Sequence, residues 1–263
     1  MSFDNQLLEK YNVKLISSEY TTYDIVNDFL MNNQSEQPFY IIDLGEIIKL
    51  YEKWITCFPT ITPYYAVKCN PNPVLLDVLS GLGTCFDCAS ENEIKAVIEL
   101  TDDPNRIIFA NPCKMSSQIK YARANDVDMM TFDCEEELYK IKLYHPYSKL
   151  ILRLAVDDTQ SVCKFNSKFG CKLENIENLI HLMNVLKLQL IGFVNRHSRD
   201  GSEYRGLMYV FLLESDKKIN PDLENAKDGE EHTECGYFTA ENLPIEDKND
   251  QLYKLIQHLL SGN

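Results

Sequence analysis

Three charged residues interrupt or close runs that are otherwise apolar. Lys68 ends TPYYAVK (62–68) after six uncharged residues, Asp87 lies inside TCFDCAS (84–90), and Arg153 breaks KLILRLAV (149–156). Where strands run parallel between helices, functional groups collect at the C-terminal strand ends, so charges at such places are the first candidates for chemistry. A lysine partly withdrawn from water there is a better nucleophile and condenses with a carbonyl to a Schiff base. The competing reading is a strand-end lysine that only reaches into solvent, and position by itself leaves both open. Glu93, in the first turn of the helix after Asp87, can turn a carboxylate back toward the same strand ends or simply favour its helix N-terminus. The connection 157–173, with Lys164, Lys168 and the tripeptide KFG, is long for a compact domain, and such loops are often functional.

The elements that would hold these residues read as βα units. From residue 38, PFYIIDL (38–44), TPYYAVK, TCFDCAS, RIIFAN (106–111), VDMMTFD (127–133), KLILRLAV and LQLIGFV (188–194) are strand-like. Between them lie helical stretches: EIIKLYEKWI (46–55), PVLLDVLSGLG (73–83), ENEIKAVIEL (91–100), SSQIKYARAND (116–126), EEELYKIKLY (135–144) and NIENLIHLMNVLK (175–187). Continuous apolar strands predict burial on both faces, and alternation predicts a parallel α/β sheet. The repeat of roughly twenty residues carries no shared motif, so it is the rhythm of a (β/α) barrel and not of a solenoid. After Val194 the pattern changes to the turn-like VNRHSRDGSEYRG (194–206), one strong strand GLMYVFLLE (206–214), an acidic stretch over 214–236, and a short terminal helix over 251–260. The expected organisation is an N-terminal segment 1–37, a partial barrel 38–194 and a small α+β tail 195–263.

Composition narrows the classes of function. A net charge of −14 over 263 residues disfavours attachment to phosphate backbones or anionic lipid. The first residues, MSFDNQLLEKYNVKL, mix charge into apolar positions, and no apolar run approaches a membrane span, so a cytoplasmic protein is expected. Nine irregularly spaced cysteines fit reduced thiols. Cys85 and Cys88 form a CxxC with no second ligand pair, and Glu230, Glu231 and Glu234 belong to a solvated acidic stretch, so no metal site is expected.

PYYAVKCN, GTCFDCASENEI, IIFANPCK, SSQIKYARANDVDMMTFD and LILRLAVDD together resemble the eukaryotic ornithine decarboxylases, over about residues 10–193. The resemblance implies an incomplete (β/α)8 barrel of the alanine-racemase type and pyridoxal 5'-phosphate as cofactor, carried by Lys68 of AVKCN. It implies that Asp87 and Arg153 shape the cofactor's surroundings, with Glu93 in the polar network around them. The implied reaction is decarboxylation of ornithine to putrescine, in which the pyridine ring stores the electrons left by carbon dioxide. It further implies a homodimer, and recognition by antizyme through Lys114 to Glu137.

The chain departs from this family at its second half. Where the family has a ring-stacking histidine, this chain has Arg196; His197 follows one step later, which on a strand is the opposite face. The family's glycine-rich phosphate turn, EPGR motif and late cysteine and aspartate have no counterpart after residue 194. About six barrel strands are expected instead of eight, and NVKLIS (12–17) would pair with a sheet domain that this sequence does not contain. Residues 195–263 resemble the C-terminal half of a Nudix hydrolase without the magnesium-binding box that defines its chemistry. The sequence therefore supports an ornithine decarboxylase family protein with impaired turnover, and alternatively a non-catalytic antizyme-binding regulator or a fused reading frame.

Overall fold

The computed structural model describes residues 5–33, 37–155, 169–196 and 208–212. Six strands are each followed or preceded by a connection long enough to carry the chain back across the sheet, which is the condition for parallel pairing. They are β1 (Tyr64–Ala66), β2 (Cys85–Cys88), β3 (Ile107–Phe109), β4 (Met129–Phe132), β5 (Lys149–Leu154) and β6 (Gln189–Arg196). Each pairs parallel with its predecessor. β7 (Met208–Leu212), from the region read as a separate tail, runs antiparallel on β6 and belongs to the same sheet. The sheet order is therefore chain order from β1 to β7.

Helices α1 (Asn5–Lys10), α2 (Thr22–Asn32) and α3 (Leu44–Cys57) precede β1, and α4 (Pro73–Gly81), α5 (Glu91–Ile98), α6 (Ser116–Ala124), α7 (Glu135–Tyr144) and α8 (Ile176–Leu186) make the crossovers. Local sequence sets their starts. Asp43 accepts the Gly45 amide at 2.8 Å, and Asn72 accepts the Val74 amide at 3.0 Å with Pro73 opening α4 where no amide is needed. The architecture is an incomplete (β/α)8 barrel.

Side-chain alternation divides the sheet into two faces. Phe86, Cys88, Ile107, Phe109, Met130, Phe132, Leu150, Leu152 and Leu154 point toward the helices and pack with Ile94, Ile119, Leu138 and Leu179. At about 1.5–3 kcal/mol for each such side chain, this layer carries most of the hydrophobic stabilisation. The alternate residues form a much smaller apolar cluster on the interior face: Ile108, Ala110 and Ile151, with Tyr64, Met129 and Ile191 against them. Cys85 and Cys88, the CxxC, lie three residues apart on the same strand, β2.

Three expectations change. Residues 38–43 form no strand, and Leu44 opens α3 instead of ending a strand. Tyr40 is 96% exposed there, and no strand is paired to the outer side of β1 among the described residues. The apolar composition was strand-like, but a strand exists only through a hydrogen-bonded neighbour. NVKLIS is likewise without regular structure over 13–17, with Leu15 79% exposed, for the same reason. Finally, TPYYAVK contracts to Tyr64–Ala66, and Lys68 sits in a 3₁₀ turn over Val67–Cys69. The expected helix over 251–260, His197, the three tail glutamates and most of the 157–173 loop lie outside the described residues. None of the described helices is long and apolar enough to cross a membrane.

One buried polar group makes stability depend on pH. His145, at the C-terminal end of α7, is 3% exposed; its Nε2 lies 3.3 Å from both the Val127 carbonyl oxygen and Asp128 Oδ1, and its Nδ1 has no partner among the described residues. Burial lowers its pKa, with Asp128, the Val127 carbonyl and Asp126 opposing and Arg123 adding to the shift. Because the unfolded chain then takes up the proton first, the full stability is present above about pH 6.5 and declines as pH falls through the window below it. Urea midpoints measured between about pH 7 and 5 should fall more steeply for the native chain than for His145→Gln. Parallel slopes would show that His145 contributes nothing to the pH dependence.

Candidate active site

The interior face ends in charge. Ala66, the last residue of β1, is the register partner of Asp87 in β2, so the turn carrying Lys68 rises directly beside Asp87 at the C-terminal rim. Glu93 is engaged locally: its Oε2 accepts the Ala89 amide at 2.8 Å, while its own amide donates to Ser90 Oγ at 3.3 Å. It thereby fixes the chain two residues beyond Asp87 and caps the start of α5. Arg153, the fifth residue of β5, stands on the same rim three strands further along, with its guanidinium 4.9 Å from the centre of the Phe169 ring. Burial pulls its pKa down, and the negative charge of Asp133 opposes that pull. Arg196 is the last residue of β6, where its backbone pairs with Met208 of β7.

Asp133 was not singled out from the sequence, although it ends VDMMTFD as Lys68 ends TPYYAVK. Phe132 pairs with Leu152, so Asp133 follows at the register position next to Arg153. Its Oδ2 accepts the Gly170 amide at 2.7 Å. Gly170 has φ +101°, and a Cβ there would lie 2.7 Å from the backbone N and Cα of Ala155. Only glycine fits. The neighbouring backbone is stitched to β5 by Ala155 N–H to the Cys171 carbonyl and Cys171 N–H to the Arg153 carbonyl, both 2.8 Å.

A second charged group lies beneath the rim. Lys114, after β3, is fully buried; its Nζ donates to the Thr131 carbonyl at 2.6 Å and the Asn111 carbonyl at 3.1 Å and meets Glu137 Oε1 at 2.8 Å. Glu137 Oε2 is 2.6 Å from Lys140 Nζ, which also donates to the Lys114 carbonyl at 2.6 Å. Burial draws the Lys114 pKa down while Glu137 resists, and three acceptors match the three protons of an ammonium. The two ends of the segment Lys114 to Glu137 are thus tied by a buried ion pair.

An open parallel sheet with crossover helices on one side and a lysine, two carboxylates and an arginine along its C-terminal rim defines part of a (β/α)-barrel enzyme domain. The chain belongs to the family described as pyridoxal-dependent decarboxylase, pyridoxal binding domain, whose sequence profile matches residues 44–201. Among named relatives it is 41% identical over 199 residues to a probable ornithine decarboxylase of Dictyostelium discoideum, covering 74% of this chain and 43% of that protein. It is 44% identical over 177 residues to the ornithine decarboxylase of Saccharomyces cerevisiae, covering 67% and 38%. The similarity runs over the N-terminal barrel portion of these enzymes, and the chain spans less than half the length of the curated relatives it matches. Among solved structures, it superposes on the Paramecium bursaria Chlorella virus arginine decarboxylase bound to agmatine with TM-score 0.65 and 36% identity, over 68% of this chain and 49% of that one. The ornithine decarboxylase of Entamoeba histolytica gives 0.55 and 29%, over 65% and 50%.

Proposed function

We propose that this chain is the lysine-bearing half of a pyridoxal 5'-phosphate-dependent decarboxylase that acts on ornithine to give putrescine in the cytoplasm, as part of a homodimer, with impaired turnover. The observation that carries this reading is the turn holding Lys68 beside Asp87 at the C-terminal rim, inside the region that matches the pyridoxal-binding domain. The residues fit the cofactor in part. Lys68 offers the amine for its aldehyde, Asp87 a carboxylate on the adjoining strand to orient that amine, and Arg153 a cation for the cofactor's anionic groups. The interior cluster around Ile108 and Ile151 gives an apolar floor that excludes water from beneath them. When bound, the cofactor supplies an electron sink that lets an α-amino acid lose carbon dioxide and take up a proton at its α-carbon. The ground for proposing impaired turnover is that the family's glycine-rich phosphate turn and EPGR motif have no counterpart in the sequence after residue 194.

Borohydride reduction of the purified chain with pyridoxal phosphate, followed by peptide mapping, tests the reading. Label is expected on Lys68 at more than about ten times the level of any other lysine, and its loss in Lys68→Ala should leave no replacement site. Label spread evenly over the lysines, or unchanged by the substitution, would remove the proposal.

A second reading, a non-catalytic regulator that binds antizyme through Lys114 to Glu137, is favoured by the shape of that segment. The buried pair ties its ends, and between α6 and α7 Lys120, Arg123, Ala124, Leu143 and Tyr144 line an open groove, with Lys120 Nζ 4.6 Å from the Tyr144 ring centre. Antizyme binding that is lost in a Lys120→Glu, Arg123→Glu double variant, without any selective label on Lys68, would select this reading over the first.

A further inference from the structure

We propose that Asp133 is a positioning residue of the site, holding the Arg153 side chain and the backbone at Gly170 in one arrangement at the C-terminal rim; its link to cofactor binding rests on the pyridoxal reading above. Three observations converge on it. Asp133 occupies the register position beside Arg153 on the interior face, one residue beyond the Phe132 and Leu152 pair. Its carboxylate accepts the Gly170 amide at 2.7 Å, across 37 residues of sequence. Phe169, next to Gly170, lies under the Arg153 guanidinium, so the chain that Asp133 captures also supplies the ring on which Arg153 rests. Asp133 thus acts on Arg153 twice, by charge from one side and through the Gly170 anchor and the Phe169 ring from the other. The bridge between Leu154 and Cys171 completes the clamp, and the Gly170 backbone beside it tolerates no side chain.

Two substitutions separate the contributions. Asp133→Asn keeps an oxygen for the Gly170 amide and removes the charge; Asp133→Ala removes both. In the full chain, nitrogen-15 relaxation of the Arg153 Nε–H and hydrogen exchange of the Gly170 amide report position without needing any ligand, and titration with pyridoxal phosphate reports the site. In Asp133→Asn the Gly170 amide should exchange at its native rate while the Arg153 Nε–H loses order and the pyridoxal phosphate dissociation constant rises about tenfold. In Asp133→Ala the Gly170 amide should also exchange at least about tenfold faster. An Arg153 side chain equally ordered in all three proteins would overturn the proposal, as would Gly170 exchange unaffected by Asp133→Ala. If Arg153 loses order as expected but even the native chain binds no pyridoxal phosphate, the positioning role stands and the cofactor reading fails.

Discussion

Replacing Glu137 with alanine is expected to destabilise the domain by about 3–5 kcal/mol, because it strips a fully buried ammonium of the carboxylate that makes its burial tolerable. Lys114 would keep only the carbonyls of Thr131 and Asn111, two dipoles in place of a charge. Lys140 would lose the same partner at little cost, since its side chain is 31% exposed and can turn to water. The double variant Lys114→Met, Glu137→Leu should recover most of the loss, because an apolar pair in the same space has no desolvation penalty to offset. Urea denaturation of the three proteins decides the matter: a single-variant loss below about 1 kcal/mol would place the pair with ordinary surface ion pairs.

Gly170→Ala should cost about 2–4 kcal/mol or open the strand end locally, since a methyl group meets the Ala155 backbone at 2.7 Å and φ +101° is itself unfavourable for alanine. The cost falls at the rim, where the amides of Ala155 and Cys171 cross between β5 and the returning chain. Their hydrogen exchange should accelerate well before the core amides of β3 and β4 change. Uniform acceleration throughout the sheet would mean that the rim is not an independent unit.

The barrel was legible because its parallel strands bury both faces, so each appears as a short apolar run between amphipathic helices. PFYIIDL and NVKLIS show the limit of that signal: composition records what a segment can pair with, and pairing depends on a neighbour elsewhere in the chain. Lys68, Asp87 and Arg153 were found by one rule, a charge within or ending an apolar run, and the structure sets all three on the C-terminal rim. Asp133 obeys the same rule, as the last residue of VDMMTFD, but nothing in the sequence ties it to Gly170, 37 residues away, whose amide it accepts. Glu93 was legible as a residue of the first turn after β2, but not the hydrogen bond its carboxylate accepts from the Ala89 amide. The burial of Lys114 could not be read from the sequence: after NPC it looks like any loop lysine, and the carboxylate that makes its burial tolerable is Glu137, 23 residues away.

The sheet order also bears on how such a chain is made. From β1 to β6 every new strand docks on the one synthesised just before it, so each βα unit leaving the ribosome finds its hydrogen-bonding template already in place. Parallel sheets are slow to form when distant segments must search for one another, and here the search is confined to adjacent units. Assembly can therefore proceed as a growing front, in which the newest strand is always the exposed edge and β7, running the opposite way, marks where that front turns back.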